Sequence, residues 1–84
     1  MHFMSYLIEI LVKPKDGILN PEARVIGEAA KSLGYDLKNL NKGKYFSYAS
    51  EKSTKEEAEK EAKELSEKLL SNPIIEKYEI VSIK

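Results

Sequence analysis

Few side chains in this sequence are suited to acid-base or nucleophilic chemistry. The 84 residues include one histidine, His2, and no cysteine. Without cysteine there is no thiolate nucleophile, no disulfide and none of the common zinc ligand sets. His2 lies near the N-terminus, where chains fray, so we assign it no catalytic or metal-binding role. A Ser/His/Asp arrangement is therefore excluded.

Acidic side chains are plentiful, and six of the 14 lie in one lysine-rich segment. In residues 55–68, KEEAEKEAKELSEK, glutamates precede lysines by four positions, which is the spacing of ion pairs on a solvated helix face. Glu9 is the exception, because it lies inside an apolar segment. We predict for Glu9 a structural position, at a strand edge or at a subunit interface, and not a catalytic role.

Two short patterns bear on nucleotide binding, and neither supports it. Gly43-Lys44 lacks the glycine spacing and the following Ser or Thr of a phosphate-binding loop, so we expect Gly43 to serve a backbone turn. Tyr45, Phe46 and Tyr48 could stack on RNA bases from a sheet. However, the 14 basic and 14 acidic side chains cancel and give little attraction for phosphates. We expect the three aromatic residues to make core and interface contacts, and Lys44 to be an exposed or interface contact.

The first half of the chain predicts a strand followed by a helix. Residues 6–13 are rich in β-branched and aromatic side chains and predict a strand, which Pro14 and the following turn end. Asn20 is suited to cap a helix that has Pro21 at its first position, and Gly34 is suited to end it. The apolar stripe of this helix consists of Ile26, Ala29, Ala30 and Leu33.

Residues 37–50 return to a period of roughly two and predict strand structure. Asn41-Lys42-Gly43 interrupts the pattern. Two explanations remain open at this point. The triplet is either a three-residue hairpin loop with Gly43 in the left-handed conformation, or a bulge in one long bent strand. The number of strands depends on this choice.

The second half ends with a helix and a strand. Ser53 and Glu56 have the spacing of a capping box, and residues 55–70 predict the helix that it would start. Asn72-Pro73 ends this helix, and residues 76–83 predict a last strand. No linker, repeat or low-complexity segment divides the chain, so we expect a single domain over residues 1–84, with residues 1–5 disordered.

The predicted order is β-α-β-(β)-α-β, an α+β arrangement related to the ferredoxin-like fold, with two helices on one face of an antiparallel sheet. Alternation places Leu7 and Leu11 on one face of the first strand, and Val81 and Ile83 on one face of the last. The opposite faces are apolar as well. Because two helices cover only one face, we expect the other face to be buried in an oligomer.

The N-terminal residues lack the basic segment and apolar run of a secretory signal, and no apolar stretch approaches the ~20 residues that span a bilayer. We therefore expect a cytoplasmic protein without a membrane partner. The balanced charge also predicts that nucleic acid is not a partner.

Three segments carry a resemblance to a known family: VKPKDGILNPEARVIGEAAKSLGY, NKGKYFSYAS and KLLSNPIIEKYEI. In order and spacing they resemble the PurS family, the small accessory subunit of phosphoribosylformylglycinamidine (FGAM) synthase. The recurring features are Lys13, Asp16 to Pro21, Leu33-Gly34-Tyr35, Gly43-Lys44-Tyr45 and Leu69 to Glu76.

The resemblance implies a subunit without chemistry of its own, in a complex for purine biosynthesis. Such a subunit would bridge a PurQ-type glutaminase and a PurL-type ATP-dependent synthetase so that ammonia passes between them. It would form a homodimer or homotetramer, with segments exchanged between protomers. ATP, Mg and glutamine would be used by the partner subunits, and this chain would hold no cofactor. The candidate interface residues are Leu7, Leu11, Gly43, Lys44, Tyr45, Phe46, Tyr48, Val81 and Ile83.

An ACT-like regulatory module that senses a small molecule is the main alternative. Such modules use the same β-α-β-β-α-β order and bind amino acids at dimer interfaces beside a Gly-rich turn after the first strand. Lys15-Asp16-Gly17 fits that turn only in part.

Overall fold

The structure, a computed structural model, describes residues 5–84. The prediction for His2 and the rest of residues 1–4 lies outside this range, and Ser5 is exposed just before the first strand. The elements are β1 (Tyr6–Pro14), α1 (Pro21–Ser32), β2 (Lys44–Ser50), α2 (Lys55–Leu65), a π-helical segment (Ser66–Leu70) and β3 (Glu76–Ile83). Within the described residues neither α-helix has the length and apolar composition that a membrane crossing requires.

Within residues 5–84 the sheet has three strands in the order β2-β1-β3, and both pairings are antiparallel. β1 is therefore central, with Ile8 opposite Tyr48 on one side and Ile83 on the other. The α+β class with an antiparallel sheet is confirmed. The optional extra strand is not formed, because residues 37–43 have no neighbouring strand in the described part of the chain.

The core lies between one face of the sheet and α2. Ile8, Ile10 and Val12 alternate along β1 and are fully buried. They pack against Ala58 and Ala62, whose small side chains let the helix approach the sheet closely. Partly buried side chains surround this cluster: Tyr6, Phe46, Tyr48, Leu70, Tyr78, Ile80 and Ile83.

A β-bulge changes the predicted faces of β3. Ile10 is opposite Ile80, whereas its neighbour Glu9 is opposite Ser82, so the register shifts by one residue at Val81. Val81 is 55% exposed, while Ile83 packs on the core side. The prediction that Val81 and Ile83 share a face is wrong, because an extra residue in one strand reverses the alternation beyond it.

The predicted helix ends are largely confirmed. The Asn20 side chain caps α1 and Pro21 is its first residue, while Gly34, with φ of 94°, follows its last turn. At α2 the predicted cap is off by one residue. Thr54, and not Ser53, accepts a hydrogen bond from the Glu57 backbone N–H at 3.1 Å. The helical path continues to residue 70 as expected, but its last five residues form π-helical hydrogen bonds.

The largest departure from expectation is the position of α1. Of the two helices predicted to cover one face, only α2 packs on the sheet within the described chain. The radius of gyration is 16.5 Å, whereas a compact domain of this length has about 12 Å. α1 and the returning residues 36–43 project together as an extension, residues 21–43, which we call the arm.

The two parts of the arm contact each other, but no other part of the described chain covers their apolar side chains. An added Cβ at Gly27 would lie 3.7 Å from Leu40 Cδ2, so α1 and the returning segment touch. Val25 and Leu33 are nevertheless 65% and 76% exposed, and Ile26 and Leu37 are also exposed. The predicted apolar stripe of α1 is therefore present, but the sheet of the same chain does not cover it.

Candidate functional site

Three separate segments meet where the arm joins the sheet, and we call this region the arm base. It encloses a cleft of about 270 Å³, lined by residues from 14–22, 42–44 and 75–76. Parts of all three segments that carry the family resemblance lie here. Its apolar lining includes Pro14, Ile18, Leu19 and Ile75, and charged pairs also line it.

The Asn20 side chain forms hydrogen bonds on both sides of the arm base. Its side-chain oxygen accepts from the backbone N–H groups of Glu22 and Ala23, at 3.1 and 3.3 Å, and so starts α1. Its side-chain nitrogen donates to the Lys42 carbonyl oxygen at 2.8 Å. Lys42 also pairs with Glu22 and lowers the pKa of that carboxyl group. One side chain therefore positions α1 and the returning segment together.

Gly43 fixes how closely the returning segment approaches β1. A Cβ at this position would lie 2.4 Å from the Val12 carbonyl oxygen, a distance that no side chain tolerates. Gly43 has no positive φ and lies in no turn, so the hairpin alternative with a left-handed glycine and the expectation of a backbone turn are both wrong. Asn41–Gly43 is neither a hairpin loop nor a bulge, but a segment without regular secondary structure that leads into β2.

Lys44 and Glu76 tie the two outer strands together across the end of β1. Lys44 Nζ lies 3.2 Å from Glu76 Oε2, and Glu76 Oε1 accepts from the Asn72 backbone N–H at 2.7 Å. The Glu76 side chain is only 15% exposed. The hydrogen bond from Asn72 and, after it, the Lys44 cation hold the pKa of Glu76 below its ordinary value. Lys44 was predicted as an exposed or interface contact; it has an internal partner.

This pair predicts a pH-dependent stability. Because the folded-state pKa of Glu76 is lowered, its contribution is present above the ordinary pKa of 4.5 and is lost as the pH falls through the folded-state value. Glu76→Gln should therefore be less stable than wild type near pH 7, and the difference should shrink below the ordinary pKa. Urea unfolding between pH 7 and pH 3 at one chain concentration measures it.

Glu64→Gln, at an exposed position of α2, is the matched control and should leave the stability of the chain nearly unchanged. A stability difference for Glu76→Gln that stays constant over the whole pH range would show that the charge of Glu76 does not contribute.

The sheet face that points away from α2 is a second surface that no other part of the described chain covers, and we call it the open face. It carries Leu7, Glu9, Leu11 and Lys13 from β1, Tyr45, Ser47 and Ala49 from β2, and Lys77, Glu79 and Val81 from β3. Leu7 is 46% and Tyr45 59% exposed. The Tyr45 hydroxyl donates to the Glu9 carboxylate, which raises the pKa of Tyr45. Because β1 is central, Glu9 does not lie at a strand edge; its place at an interface stays a prediction.

The nine candidate interface residues fall in three places. The open face holds Leu7, Leu11, Tyr45 and Val81. The core side holds Phe46, Tyr48 and Ile83. The arm base holds Gly43 and Lys44.

Sequence reasoning missed the ties that Asn20, Glu22, Lys42 and Glu76 make at the arm base. Asn20 was predicted only as a helix cap. Its spare amide nitrogen was the available signal, because an asparagine side chain both donates and accepts hydrogen bonds.

The described residues of the arm base and the open face offer few groups that could bind a metal ion or catalyse a reaction. The described residues contain no cluster of histidine, cysteine and acidic side chains that could hold a metal ion. The carboxylates of the arm-base cleft, Glu22 and Glu76, are each occupied by a lysine. The geometry instead defines a small α+β protein with a positioned arm and two uncovered apolar surfaces, features of an assembly subunit.

Comparison with known proteins identifies the family. The model of the PurS family, described as phosphoribosylformylglycinamidine (FGAM) synthase, matches residues 7–84, and the chain belongs to this family. A PurS subunit from Archaeoglobus fulgidus is 37% identical over 76 residues, covering 89% of this chain and 95% of the relative.

Solved structures of PurS chains are similar in fold to this chain. PurS from Thermus thermophilus superposes with a TM-score of 0.85 at 31% identity over 96% of each chain. A chain in a structure described as PurLQS from Thermotoga maritima gives 0.76 at 27% identity, covering 93% of this chain and 95% of that one.

Proposed function

We propose that this chain is the non-catalytic PurS subunit of a cytoplasmic FGAM synthase complex in purine biosynthesis. It bridges a glutaminase and an ATP-dependent synthetase, so that ammonia from glutamine reaches the synthetase. ATP, Mg and glutamine are used by those partners. Family membership supports this, as does the Thermotoga maritima chain solved within PurLQS. The observation that carries the proposal is an uncovered apolar arm held in a fixed direction by Asn20.

The exposed arm supports an exchanged dimer, in which each chain packs its arm on the sheet of the other chain. One helix leaves much of the core-side face of the sheet partly exposed, and β2 is an edge strand with unpaired backbone groups. A partner's arm can supply the second helix and can pair its residues 37–43 with the edge of β2. The Tyr48 hydroxyl on β2 is buried without a hydrogen-bond partner in the described chain, which is also consistent with a missing neighbour.

The small-molecule-sensing alternative is not favoured. The match to the PurS family covers residues 7–84, so no part of the described fold is left to a separate regulatory module.

The exchange predicts the effect of one charged substitution. Ile26→Asp should convert an oligomer into monomers at micromolar concentration, because it places a charge on the apolar stripe that a second copy would bury. Light scattering after size exclusion measures the mass. The monomer fold should survive, since α1 does not pack on its own sheet.

Lys31→Asp, on an exposed position of the same helix, is the control and should leave the oligomer mass unchanged. A wild-type chain that stays monomeric would contradict the exchanged dimer, and so would an Ile26→Asp variant with the wild-type mass.

A further inference from the structure

The connection between β1 and α1 contains a dipeptide whose side chain can react with its own backbone. Of the four glycines in the sequence, only Gly17 follows an Asp or Asn, and that residue is Asp16. The Cγ atom of an aspartate can be attacked by the backbone nitrogen of the next residue, because the two atoms close a five-membered ring. A glycine in the next position has no Cβ to hinder this approach.

The structure leaves this dipeptide unprotected. Asp16 is fully exposed, and its ion-pair partner within residues 5–84 is Lys77, whose Nζ lies 3.6 Å away in a pair that water and salt screen. Gly17 has φ of 83°, and an added Cβ there would meet no atom within 4 Å. The Gly17 backbone N–H, which is the attacking group, makes no hydrogen bond in the described chain. Neither packing nor hydrogen bonding therefore holds the reacting atoms apart.

The reaction is an isomerisation that needs only water. The Gly17 nitrogen loses its proton and bonds to Asp16 Cγ, while the carboxyl group loses a hydroxyl, so one water leaves and a cyclic imide forms. A water molecule then attacks the carbon of the former Asp16 backbone carbonyl, and the bond from that carbon to the Gly17 nitrogen breaks. The product is isoaspartate, with unchanged composition. Its backbone runs through Cβ and Cγ and is longer by one bond of about 1.5 Å.

The reacting turn lies between two anchors of the arm. Before it, the Lys15 N–H donates to the Ile75 carbonyl oxygen at 2.9 Å. After it, the Asn20 side chain donates to the Lys42 carbonyl oxygen. The turn itself is closed by the Ile18 N–H, which donates to the Lys15 carbonyl oxygen at 3.1 Å. An extra backbone bond lengthens this connection but not the returning segment, so the turn is disrupted and the arm tilts.

We propose that Asp16-Gly17 is a site of spontaneous isomerisation, and that isoaspartate at this position changes the direction of the arm. The effect on assembly rests on the proposed exchange of arms, whereas the modification itself does not. Isoaspartate is the substrate of enzymes that methylate isoaspartyl carboxylates, so an enzyme of this class is the partner that would act on aged chains.

The test ages the purified wild-type chain at neutral pH in water enriched in oxygen-18 and locates isoaspartate by peptide mass spectrometry. We expect isoaspartate at Asp16, with oxygen-18 from the water that opened the ring. Asp36 is the internal control, because it is exposed, pairs loosely with Lys38 and precedes Leu37. It should hold at least about tenfold less isoaspartate, because only glycine leaves the attacking nitrogen unhindered.

Two variants separate the modification from other effects of ageing. Asp16→Glu keeps the charge but would have to close a larger ring, so it should form no isomer at this position over the same period. Asp36→Glu is the matched control and should age as wild type does. Light scattering after size exclusion of the aged samples measures assembly. Isoaspartate should be concentrated in the wild-type fraction of smaller mass, whereas aged Asp16→Glu should keep the oligomer mass of fresh protein.

The outcomes for the modification and for assembly are distinguishable. Equal isoaspartate at Asp16 and Asp36, or none at Asp16, would overturn the modification site. Isoaspartate divided equally between the oligomer and the smaller fraction would refute the effect on the arm. A fresh wild-type chain that is already monomeric would refute the exchanged dimer and with it the effect on assembly, while the isoaspartate measurement would still decide the site.

Discussion

Leaving this chain out of a reconstituted FGAM synthase is expected to abolish glutamine-dependent synthesis while most of the ammonia-dependent rate remains. A synthetase supplied with free ammonia needs only its own site. Coupling to glutamine requires the glutaminase to be held in the right orientation, so that ammonia is delivered before it escapes or is protonated. A bridging subunit matters only in the second case. Product formation with glutamine, and separately with ammonium salt, measures the two rates in the same mixtures.

The assay has internal controls. The chain alone should neither hydrolyse glutamine nor consume ATP, since it lacks the nucleophile and the phosphate-binding loop that these reactions need. Equal loss of both synthetic rates on omission would mean that the chain completes the synthetase site, and the bridging proposal would have to be abandoned.

Substitutions of two aromatic residues of β2 test which face of the sheet contacts the partner. Tyr45 is on the open face, whereas Phe46 packs against the core cluster. Tyr45→Ser should therefore lower the glutamine-dependent rate with little change in the melting temperature of the chain, because buried aromatic anchors at interfaces are worth about 2 kcal/mol or more. Phe46→Ser should instead lower the melting temperature first. The reverse pattern would place the partner on the core side.

The parts of the fold set by local chemistry were predictable from the sequence. Asn20 with Pro21 defines the start of a helix, and Gly34 defines its end, because capping and positive φ depend on a few neighbouring residues. The alternation of β1 separated its two faces for the same reason, but both faces are apolar, so the alternation could not say that Ile8, Ile10 and Val12 form the buried one.

The parts set by long-range geometry were not predictable. The bulge at Val81 depends on how β3 pairs with β1, and the alternation of β3 alone contains no sign of it. The direction of α1 depends on Asn20 reaching Lys42 across the arm base. The apolar stripe of α1 indicated that the helix is covered, but a stripe cannot say whether its own sheet or that of another copy covers it.

Gly43→Val is expected to give the largest loss of stability and assembly among single substitutions at the arm base. Any Cβ at this position would lie 2.4 Å from the Val12 carbonyl oxygen. That atom belongs to the backbone of the central strand, so it cannot move aside as a flexible side chain does. The returning segment would have to shift instead, and with it the bond from Asn20 to Lys42 and the direction of the arm.

Gly43→Ala tests the close approach alone, because alanine adds a Cβ without the β-branched side chain of valine. It should already destabilise the chain by about 1–3 kcal/mol, the usual penalty for overpacking, and should lower the melting temperature by roughly 4–24 °C for a domain of this size. Gly27→Ala is the matched control, because its Cβ would meet only Leu40 Cδ2 at an ordinary 3.7 Å. In mid-helix that change should stabilise the chain by up to about 1 kcal/mol.

Calorimetry and light scattering at one chain concentration, which removes the effect of mass action, should show Gly43→Ala less stable and Gly27→Ala at least as stable as wild type. If Gly43→Ala and Gly43→Val keep the melting temperature and oligomer mass of wild type, the close contact with Val12 does not fix the arm, and the exchanged dimer loses its structural basis at this glycine.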